Sequence, residues 1–407
     1  MSIQIQAPKQ IDATITLPSS KSISNRVLLI HALAEGEGLL QNLSDCDDTQ
    51  VLIRALQSAS PILDIQAAGT AMRFLTAYLA ITPGTKILTG TKRMQQRPIQ
   101  VLVDALRTLG AEIEYADKEG FPPLKITGRQ LTQSAIALPG NVSSQYISAL
   151  LLIAPMLPQG LRIQLTSEIV SRPYIDLTLQ LMQQFGAKAS WTGPAELKVE
   201  PQPYQDIPFK VESDWSAASY WYEMIALTPD GKVTLPQLFE QSLQGDRQVA
   251  TFFEALGVKT TFGEESVTLT RMERTAQQLN IDFVEQPDLA QTFAVTSCLL
   301  NIPFRFTGLQ SLKIKETDRL MALICELKKL GYVLHQEDDS VLWWNGERCQ
   351  PSNLAIDTYQ DHRMAMAFAP AALLLPSVQI NNPEVVSKSY PSYWKDLETA
   401  GFTMNKR

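Results

Sequence analysis

The stretch Leu17–Arg26, LPSSKSISNR, places serines, a lysine and an arginine directly before an apolar run. Ser22 and Ser24 are predicted N-caps, because a hydroxyl oxygen can accept a bond from a first-turn N–H. The run VLLIHALA behind them predicts a buried helix. Free N–H groups, hydroxyls, Lys21 and Arg26 at one helix start favour a bound phosphate or carboxylate. A capped helix with two solvated cations is the alternative.

Other apolar segments also carry polar or cationic side chains where a helix is predicted to begin. In the first half these are Gly69-Thr70, Arg93, Arg97, Ser143, Ser144, Gln145, Ser171, Arg172 and Tyr174. In the second half they are Asp288, Lys313, Lys315, Glu316, Asp318, Arg319, Asp361, His362, Arg363 and Lys388. Lysines and arginines at helix starts oppose the helix dipole. Their repetition therefore predicts that anions bind there.

Each of these residues also has a structural interpretation. Carboxylates at helix starts are ordinary dipole partners, worth roughly 0.3–1 kcal/mol, so Asp288 and Asp361 can be capping groups. The polar residues at 143–145 can be N-caps, and His362 can be a packing residue. The cations can be solvated surface groups. These alternatives stay open at the level of sequence.

Composition limits the classes of function. The chain has 407 residues, 45% hydrophobic and 19% charged, which predicts two or three domains. No apolar run reaches the roughly 20 residues of a membrane span, and the N-terminus lacks a signal or transit pattern, so we expect a cytoplasmic protein. A net charge of −7 argues against nucleic acid or an anionic membrane as partner. Four scattered cysteines and three histidines predict no metal site.

The elements that position these residues follow a repeat. A helix ending in Leu, Phe or Ala, then Gly, then a strand recurs at Gly110, Gly186, Gly257, Gly331 and Gly401, with steps of 76, 71, 74 and 70 residues. Glycine there suits a left-handed helix C-cap, and Gly36 is predicted to end the first helix. A sixth copy before residue 61 lacks the Gly and most of its strands.

Six such units predict an α/β fold of two pseudo-symmetric domains, each of three β-α-β-α-β-β units. The N-terminal segment alternates like a strand and is predicted to pair with the second half. Domain I is then formed by residues 1–19 and 213–407. Domain II is formed by residues 20–212, with its first unit shortened. We expect the active site in the cleft between the two domains.

Eight motifs in this order resemble the 5-enolpyruvylshikimate-3-phosphate synthases of the enolpyruvyl transferase family. They are LPSSKSISNR, AGTAMRFL, RMQQRP, VSSQYISALL, SRPYIDLT, IKETDRL, DHRMAMAF and SKSYPSYW. The resemblance implies an inside-out α/β barrel arrangement of two domains and a monomer. It also implies transfer of the enolpyruvyl group of phosphoenolpyruvate to the 5-hydroxyl of shikimate 3-phosphate. Phosphate is released by addition and elimination, on the pathway to chorismate and the aromatic amino acids.

The resemblance also implies roles for single residues. The shikimate 3-phosphate ligands would be Ser22, Arg26, Ser143, Ser144, Ser171 and Tyr174, with Asp288 and Lys315 holding the ring. The phosphoenolpyruvate ligands would be Gly69, Arg97, Arg319, Arg363 and Lys388. Lys21 and Gln145 would contact both substrates. Asp288 would accept the proton, and Lys21 or Glu316 would supply one, with neither metal nor organic cofactor.

Three positions depart from the family pattern. Ala67 stands where the family usually has Asn, Phe74 where it has Pro, and Ser311 replaces an Asn that contacts the shikimate phosphate. A rival within the family is the UDP-N-acetylglucosamine enolpyruvyl transferase, which generally uses a loop Cys or Asp that the segment TKRMQQ lacks. A rival of another class is a non-catalytic phosphometabolite-binding protein.

Overall fold

A computed structural model of the chain describes residues 1–352 and 355–406. The chain divides into two compact units. The first unit is formed by Met1–Pro18 and Glu212–Arg407, and the second by Ser19–Val211.

The elements are numbered in chain order. The helices are α1 (Lys21–Leu33), α2 (Asp47–Gln57), α3 (Gly69–Ile81), α4 (Gln100–Leu109), α5 (Ser144–Ile153), α6 (Arg172–Gln184), α7 (Trp215–Leu227), α8 (Val249–Glu254), α9 (Ala290–Leu299), α10 (Arg319–Lys329), α11 (His362–Phe368) and α12 (Tyr393–Thr399). The strands of the first half are β1 (Ser2–Gln6), β2 (Ile11–Thr14), β3 (Leu40–Gln41), β4 (Ile62–Asp64), β5 (Gly84–Thr89), β6 (Glu112–Tyr115), β7 (Leu124–Gly128), β8 (Ala135–Leu138), β9 (Leu161–Leu165), β10 (Ala189–Gly193), β11 (Glu196–Val199) and β12 (Phe209–Lys210). Those of the second half are β13 (Gly231–Pro236), β14 (Val258–Phe262), β15 (Ser266–Arg271), β16 (Leu279–Asp282), β17 (Phe304–Thr307), β18 (His335–Glu337), β19 (Val341–Trp344), β20 (Ala355–Ile356), β21 (Val378–Asn381) and β22 (Thr403–Lys406).

The predicted β-α-β-α-β-β unit is confirmed. In the clearest copy the chain runs β4-α3-β5-α4-β6-β7 and the strand order is β4-β5-β7-β6, with β4 parallel to β5 and the remaining pairs antiparallel. The sheets of β8–β11 and of β16–β19 repeat this order. The N-terminal segment pairs with the second half as predicted, because β1 lies between β21 and β22 and β2 lies beside β13.

Helices form the centre of each unit. In the second unit α1, α3 and α5 contact one another, and in the first unit α7, α9 and α11 do so. Nine of the ten residues of α5 are buried, and every residue of α9 is buried. Helices that are apolar all round must be enclosed. The strands alternate buried and exposed residues, as β9 does, so each sheet covers the helices with one face. This is the inside-out arrangement.

The glycines of the repeat end their helices as predicted. Gly110, Gly186, Gly257, Gly331 and Gly401 have φ of 105°, 85°, 87°, 94° and 93°. The boundaries predicted for α1 are wrong at both ends. Ser20 is its N-cap and accepts from the Ile23 N–H at 3.4 Å, and Glu35, not Gly36, takes the left-handed conformation. Pro98 directly precedes Ile99, the N-cap of α4.

The first repeat is shortened, as predicted. Its sheet holds only the parallel strands β3 and β12, and α2 is followed almost at once by β4. The connecting backbone is held by the Lys86 ammonium on β5, which donates to the carbonyls of Ser58, Ala59 and Ser60 at 3.3, 3.0 and 2.7 Å. The ammonium thus holds the short connection between α2 and β4.

Lys86→Met is expected to lower the free energy of unfolding by about 1–2 kcal/mol, because three carbonyls lose a charged donor. Urea unfolding of the purified protein measures this. Lys125→Met on the adjacent strand β7 is the control, since Lys125 and its partner Glu114 are both exposed and such ion pairs contribute little to stability. Equal losses in the two variants would contradict the bracing role of Lys86.

No helix within residues 1–352 and 355–406 combines the length and apolar character needed to cross a membrane. Among the same residues, no group of three or more His, Cys, Asp or Glu side chains is arranged to hold a metal ion. The four cysteines are free: Cys46 and Cys298 are buried, Cys349 is partly exposed and Cys325 is exposed.

Candidate functional site

The Asp288 carboxylate contacts three cationic side chains of the first unit. Its carboxylate accepts from Arg319 Nη1 at 2.9 Å, from Arg363 Nη2 at 2.8 Å and from Lys315 Nζ at 3.4 Å. The side chain is 18% exposed, so a ligand can reach it. Asp288 and its partners come from three segments of the chain, namely the start of α9, the residues at the start of α10 and the start of α11. The arrangement presents a carboxylate and cations to the same ligand.

Arg319 links Asp288 to two further carboxylates. Its Nε donates to Asp361 Oδ2 at 2.7 Å and its Nη2 to Glu316 Oε2 at 3.0 Å. Glu316 Oε1 lies 3.3 Å from Lys388 Nζ. Burial by itself would lower the pKa of Arg319, but Asp361, Glu316 and Asp288 together raise it above its usual value. The guanidinium is therefore permanently charged, although it is almost fully enclosed.

Local capping explains the position of some of these residues and not of others. Asp361 is the N-cap of α11, accepting from the Arg363 N–H at 2.9 Å, and it also pairs with Arg319. Asp288 lies in the short 3-10 helix Pro287–Leu289 before α9 and makes no side-chain cap there. The capping interpretation therefore holds for Asp361 and fails for Asp288.

Lys315, which belongs to this network, and Asp246, which lies near it, both have shifted pKa values. Burial lowers the pKa of the Lys315 ammonium, partly offset by Asp288, which makes it a better proton donor than a free lysine. Burial and the charge of Asp288 raise the pKa of Asp246 to about 6, and a hydrogen bond from Ser216 works against this. Asp246 is thus a second buried carboxyl within electrostatic range of Asp288.

Carboxylates of the protein itself lie beside the predicted anion-binding cations of the first unit. Four cations, Lys315, Arg319, Arg363 and Lys388, are interleaved with three carboxylates, Asp288, Glu316 and Asp361. The protein itself compensates most of the charge. Each of the four cations already contacts a carboxylate oxygen of the protein. When an anionic ligand binds, a cation can replace that oxygen by a ligand oxygen of the same charge.

Arg26 in the second unit is different, because neutral groups surround it. Its Nε donates to Thr178 Oγ1 at 2.7 Å, its Nη1 to the Ser22 carbonyl at 2.8 Å, and its Nη2 to Ser148 Oγ and the Tyr174 carbonyl at 3.2 and 3.3 Å. Within residues 1–352 and 355–406 no carboxylate pairs with it. Burial lowers the pKa of this guanidinium to about 10.

The hydrogen bonds of Arg26 also limit how it can bind. A guanidinium has five N–H groups, and four of them have partners among the described residues. One Nη1–H remains. A buried positive charge with a single open donor is suited to one oxygen of an anion rather than to a bidentate grip.

Two arginines lie close to Gly69 at the start of α3. A Cβ placed on Gly69 would stand 2.6 Å from Arg97 Nη1 and 3.1 Å from Arg73 Nη1, so both guanidiniums approach its bare face. Arg73 also donates to the Gly69 carbonyl at 3.0 Å. Gln145 Nε2 donates to Thr70 Oγ1 at 3.1 Å, which joins the start of α5 to that of α3. Two like charges held this close favour an anion between them.

The remaining predicted residues of the second unit lie at the starts of α1, α5 and α6. Lys21 Nζ lies 3.3 Å from Asp48 Oδ2. Ser143 is the N-cap of α5 and accepts from the Gln145 N–H at 3.4 Å, and Ser144 is buried behind it. Ser171 precedes α6 with φ of +54°, a strained conformation for a residue with a side chain, of the kind that collects at functional sites. Tyr174 follows in the first turn.

The three departures from the family pattern lie in different surroundings. Phe74 is fully buried in α3, and its ring centre is 5.5 Å from the Arg26 guanidinium carbon, a cation–π distance. Ala67 is exposed before α3. The Ser311 hydroxyl is buried without a hydrogen-bond partner among the described residues.

The six residues predicted in the first unit, Asp288, Lys315, Glu316, Arg319, Arg363 and Lys388, belong to one contact network. In the second unit, Gly69 and Arg97 form one neighbourhood with Gln145 attached through Thr70, and Arg26 forms another. Sequence reasoning missed Arg73 and Asp246. The spacing of four residues from Gly69 pointed to Arg73, whereas no local pattern pointed to Asp246.

Comparisons with known proteins identify the fold and the family of the chain. Among solved structures, the chain is similar over its full length to an EPSP synthase from Acinetobacter baumannii, with a TM-score of 0.78 and 20% identity over all of both chains. It is also similar to the enolpyruvyl transferase NikO from Streptomyces tendae, with a TM-score of 0.73 and 16% identity over 99% of this chain and 98% of that one. At these identities the likeness defines the fold, which is of the enolpyruvyl transferase type.

The sequence comparisons are more specific. The profile of the family EPSP synthase (3-phosphoshikimate 1-carboxyvinyltransferase) matches residues 5–60 and 57–397. A 3-phosphoshikimate 1-carboxyvinyltransferase of Bacteroides fragilis is 63% identical over 98% of this chain and 97% of its own length. A 3-phosphoshikimate 1-carboxyvinyltransferase of a Sulfurovum species is 38% identical over 98% of this chain and 99% of its own length. The chain belongs to the EPSP synthase family.

Proposed function

We propose that this chain transfers the carboxyvinyl group of phosphoenolpyruvate to the 5-hydroxyl of shikimate 3-phosphate and releases phosphate. The observation that carries the proposal is the 63% identity, over 98% of the chain, to a protein named 3-phosphoshikimate 1-carboxyvinyltransferase. The network around Asp288 supports it, because a carboxylate among cations suits proton transfer next to an anionic substrate.

The roles of single residues are part of the proposal. Shikimate 3-phosphate binds to Lys21, Ser22, Arg26, Ser143, Ser144, Gln145, Ser171, Tyr174, Asp288 and Lys315. Phosphoenolpyruvate binds to Lys21, Gly69, Arg97, Gln145, Arg319, Arg363 and Lys388. The catalytic groups are Asp288, Lys21 and Glu316. Arg26 supports the first assignment, since an enclosed guanidinium without a carboxylate partner is matched by a phosphate.

The chemistry needs two opposite proton movements. In the addition step, the 5-hydroxyl oxygen bonds to C2 of phosphoenolpyruvate while the proton of the hydroxyl passes to Asp288. In the same step, the methylene carbon C3 receives a proton from Lys21 or Glu316. In elimination, C3 returns a proton, the double bond re-forms and the C2–O bond to phosphate breaks. The cations around Asp288 can neutralise the departing phosphate. No redox step is involved.

Release of inorganic phosphate tests the proposal directly. The purified protein is mixed with phosphoenolpyruvate and, in separate reactions, with shikimate 3-phosphate, with UDP-N-acetylglucosamine or with no acceptor. Phosphate is expected only with shikimate 3-phosphate. Release with the UDP sugar would favour the rival transferase. Tight binding of both substrates without release would favour a non-catalytic binding protein.

We also infer that the protein acts as a monomer in the cytoplasm. The four cysteines support the compartment, because they are scattered along the chain and all of them are free thiols. Light scattering of the purified protein is expected to give a mass close to the 45.2 kDa of one chain. A dimer mass would contradict the monomer.

Gly69→Ala is expected to raise KM for phosphoenolpyruvate about tenfold, since a methyl group 2.6 Å from Arg97 Nη1 must displace that guanidinium and weaken one charged contact by roughly 1.4 kcal/mol. We expect the melting temperature of Gly69→Ala to stay unchanged, because the new methyl group displaces the flexible end of the Arg97 side chain and not the backbone. Gly193→Ala is the control, since its Cβ would meet only Glu196 at 3.9 Å. An unaltered KM in Gly69→Ala would remove Gly69 from the phosphoenolpyruvate site.

A further inference from the structure

Helix α10 contacts the segment before α11 at two points, two turns apart. Arg319 and Glu326 are seven residues apart and so lie on one face of α10. At the first turn, Arg319 pairs with Asp361 at 2.7 Å. Two turns on, Glu326 accepts from the Tyr359 hydroxyl at 2.6 Å and from the Asp357 N–H at 3.0 Å. The segment 357–361 is therefore fixed to the helix at both ends.

Glu326 is a buried carboxylate whose partners hold it in one place. It is fully buried, and Lys329 Nζ lies 2.7 Å from Oε2. A buried carboxylate needs such partners, and losing one leaves an uncompensated charge. Burial and the charge of Glu326 raise the pKa of the Tyr359 hydroxyl, so it stays protonated and remains a donor. The contact between the two is thus permanent across physiological pH.

The backbone that Glu326 holds is strained. Tyr359 and Gln360 have φ of +52° and +56°, and the Asp361 N–H donates to the Thr358 carbonyl at 2.8 Å. Two central residues at positive φ define a turn that glycine and asparagine normally occupy. Tyrosine and glutamine remain in this conformation only when surrounding contacts impose it. Glu326 supplies two of these contacts, with the Tyr359 hydroxyl and the Asp357 N–H, while the Asp357 carboxylate also accepts from Lys329 Nζ at 2.8 Å and from Asn381 Nδ2 at 2.7 Å.

We propose that Glu326 and Tyr359 are positioning residues that hold this turn so that Asp361 meets Arg319 and orients Arg363. The proposal rests on the proposed function, in which Arg319 and Arg363 bind phosphoenolpyruvate. Asp361 follows the turn directly, caps α11 through the Arg363 N–H and binds Arg319. Relaxing the turn moves Asp361, and both arginines move with it.

Tyr359→Phe and Glu326→Gln test the proposal, each singly and together. Tyr359 is 40% exposed, so loss of its hydroxyl leaves the core intact. We expect KM for phosphoenolpyruvate to rise about fivefold in each variant, with KM for shikimate 3-phosphate within about twofold of the parent. The double variant should show no more than the effect of Glu326→Gln, because Glu326→Gln already weakens the Tyr359 contact, along with those to Asp357 and Lys329.

Tyr222→Phe is the matched control. Its hydroxyl contacts Thr260 on β14, so its loss removes a hydrogen bond without touching the turn. Thermal melting accompanies every kinetic measurement. A lower melting temperature with an unchanged KM for phosphoenolpyruvate in Tyr359→Phe would overturn the positioning role. Additive KM effects in the double variant would also overturn it. If the parent protein releases no phosphate at all, the proposed function fails instead.

Discussion

Asp288→Asn is expected to bind both substrates and to lose about a thousandfold in kcat. The amide keeps the size of the side chain but cannot accept the proton of the attacking hydroxyl. Three cations lose part of their compensation in this variant, so KM for phosphoenolpyruvate should stay level or fall. Steady-state phosphate release measures kcat and KM, and calorimetry measures binding of shikimate 3-phosphate.

Asp282→Asn is the control for this change. Asp282 lies at the end of β16 in the same unit and accepts from the Val284 N–H at 3.0 Å, a role that asparagine can also fill. Its kcat should stay within about twofold of the parent. A kcat in Asp288→Asn within about tenfold of the parent would remove Asp288 as the proton acceptor.

Arg26→Met is expected to raise KM for shikimate 3-phosphate at least about a hundredfold while leaving the fold as stable as before or more so. Burial lowers the pKa of Arg26 from its usual 12.5 to about 10. That difference corresponds to roughly 3 kcal/mol for keeping the guanidinium charged in the folded protein at neutral pH. Methionine removes the charge and fills a similar length of chain.

The pH dependence has a definite sign. Because the folded state holds the Arg26 proton less tightly than the unfolded chain, the unfolded state binds more protons between about pH 10 and 12.5, and the contribution of Arg26 to stability rises with pH there. At neutral pH the whole cost is present. Removing the charge should therefore not lower the melting temperature.

The surroundings of Arg26 remain satisfied in the variant. Ser148 and Thr178 stay bonded at 2.8 Å, and Thr178 keeps its bond to the Tyr174 carbonyl at 2.8 Å. Arg129→Met, which removes an exposed arginine paired with Glu112, is the control and should alter neither property. A marked fall in melting temperature together with an unchanged KM would show that Arg26 is a structural group.

Much of the fold followed from sequence because its signals are local. A glycine after a helix end readily takes the left-handed conformation that closes the helix, so the repeat at Gly110 and its four later copies was predictable, although Gly36 after α1 does not follow this rule. The N-cap of α1 was not. Several serines offer the same hydroxyl, and a distant contact decides between them: Ser24 Oγ accepts from the Ser44 N–H at 3.0 Å, while Ser20 caps.

The chemistry of the site divides in a similar way. The residue types were visible, since lysines and arginines at helix starts are unusual and the motifs resembled one family. Their partners were not visible: Arg319 was predicted to bind an anion, and the structure pairs it with carboxylates as far away in sequence as Asp288 and Asp361. Arg26 was predicted in the same terms, and among the described residues its hydrogen-bond partners are all neutral.

The sequence by itself determined the repeat and the kinds of side chain placed near the helix starts, because each depends on a few consecutive residues. Only the tertiary structure decided which charges are compensated within the protein. That outcome depends on which distant segments the sheets and central helices bring into contact, and burial then sets the strength of every charge–charge interaction. Arg319 and Arg26 occupy similar local positions, and packing alone gives one of them three carboxylates and the other none among the described residues.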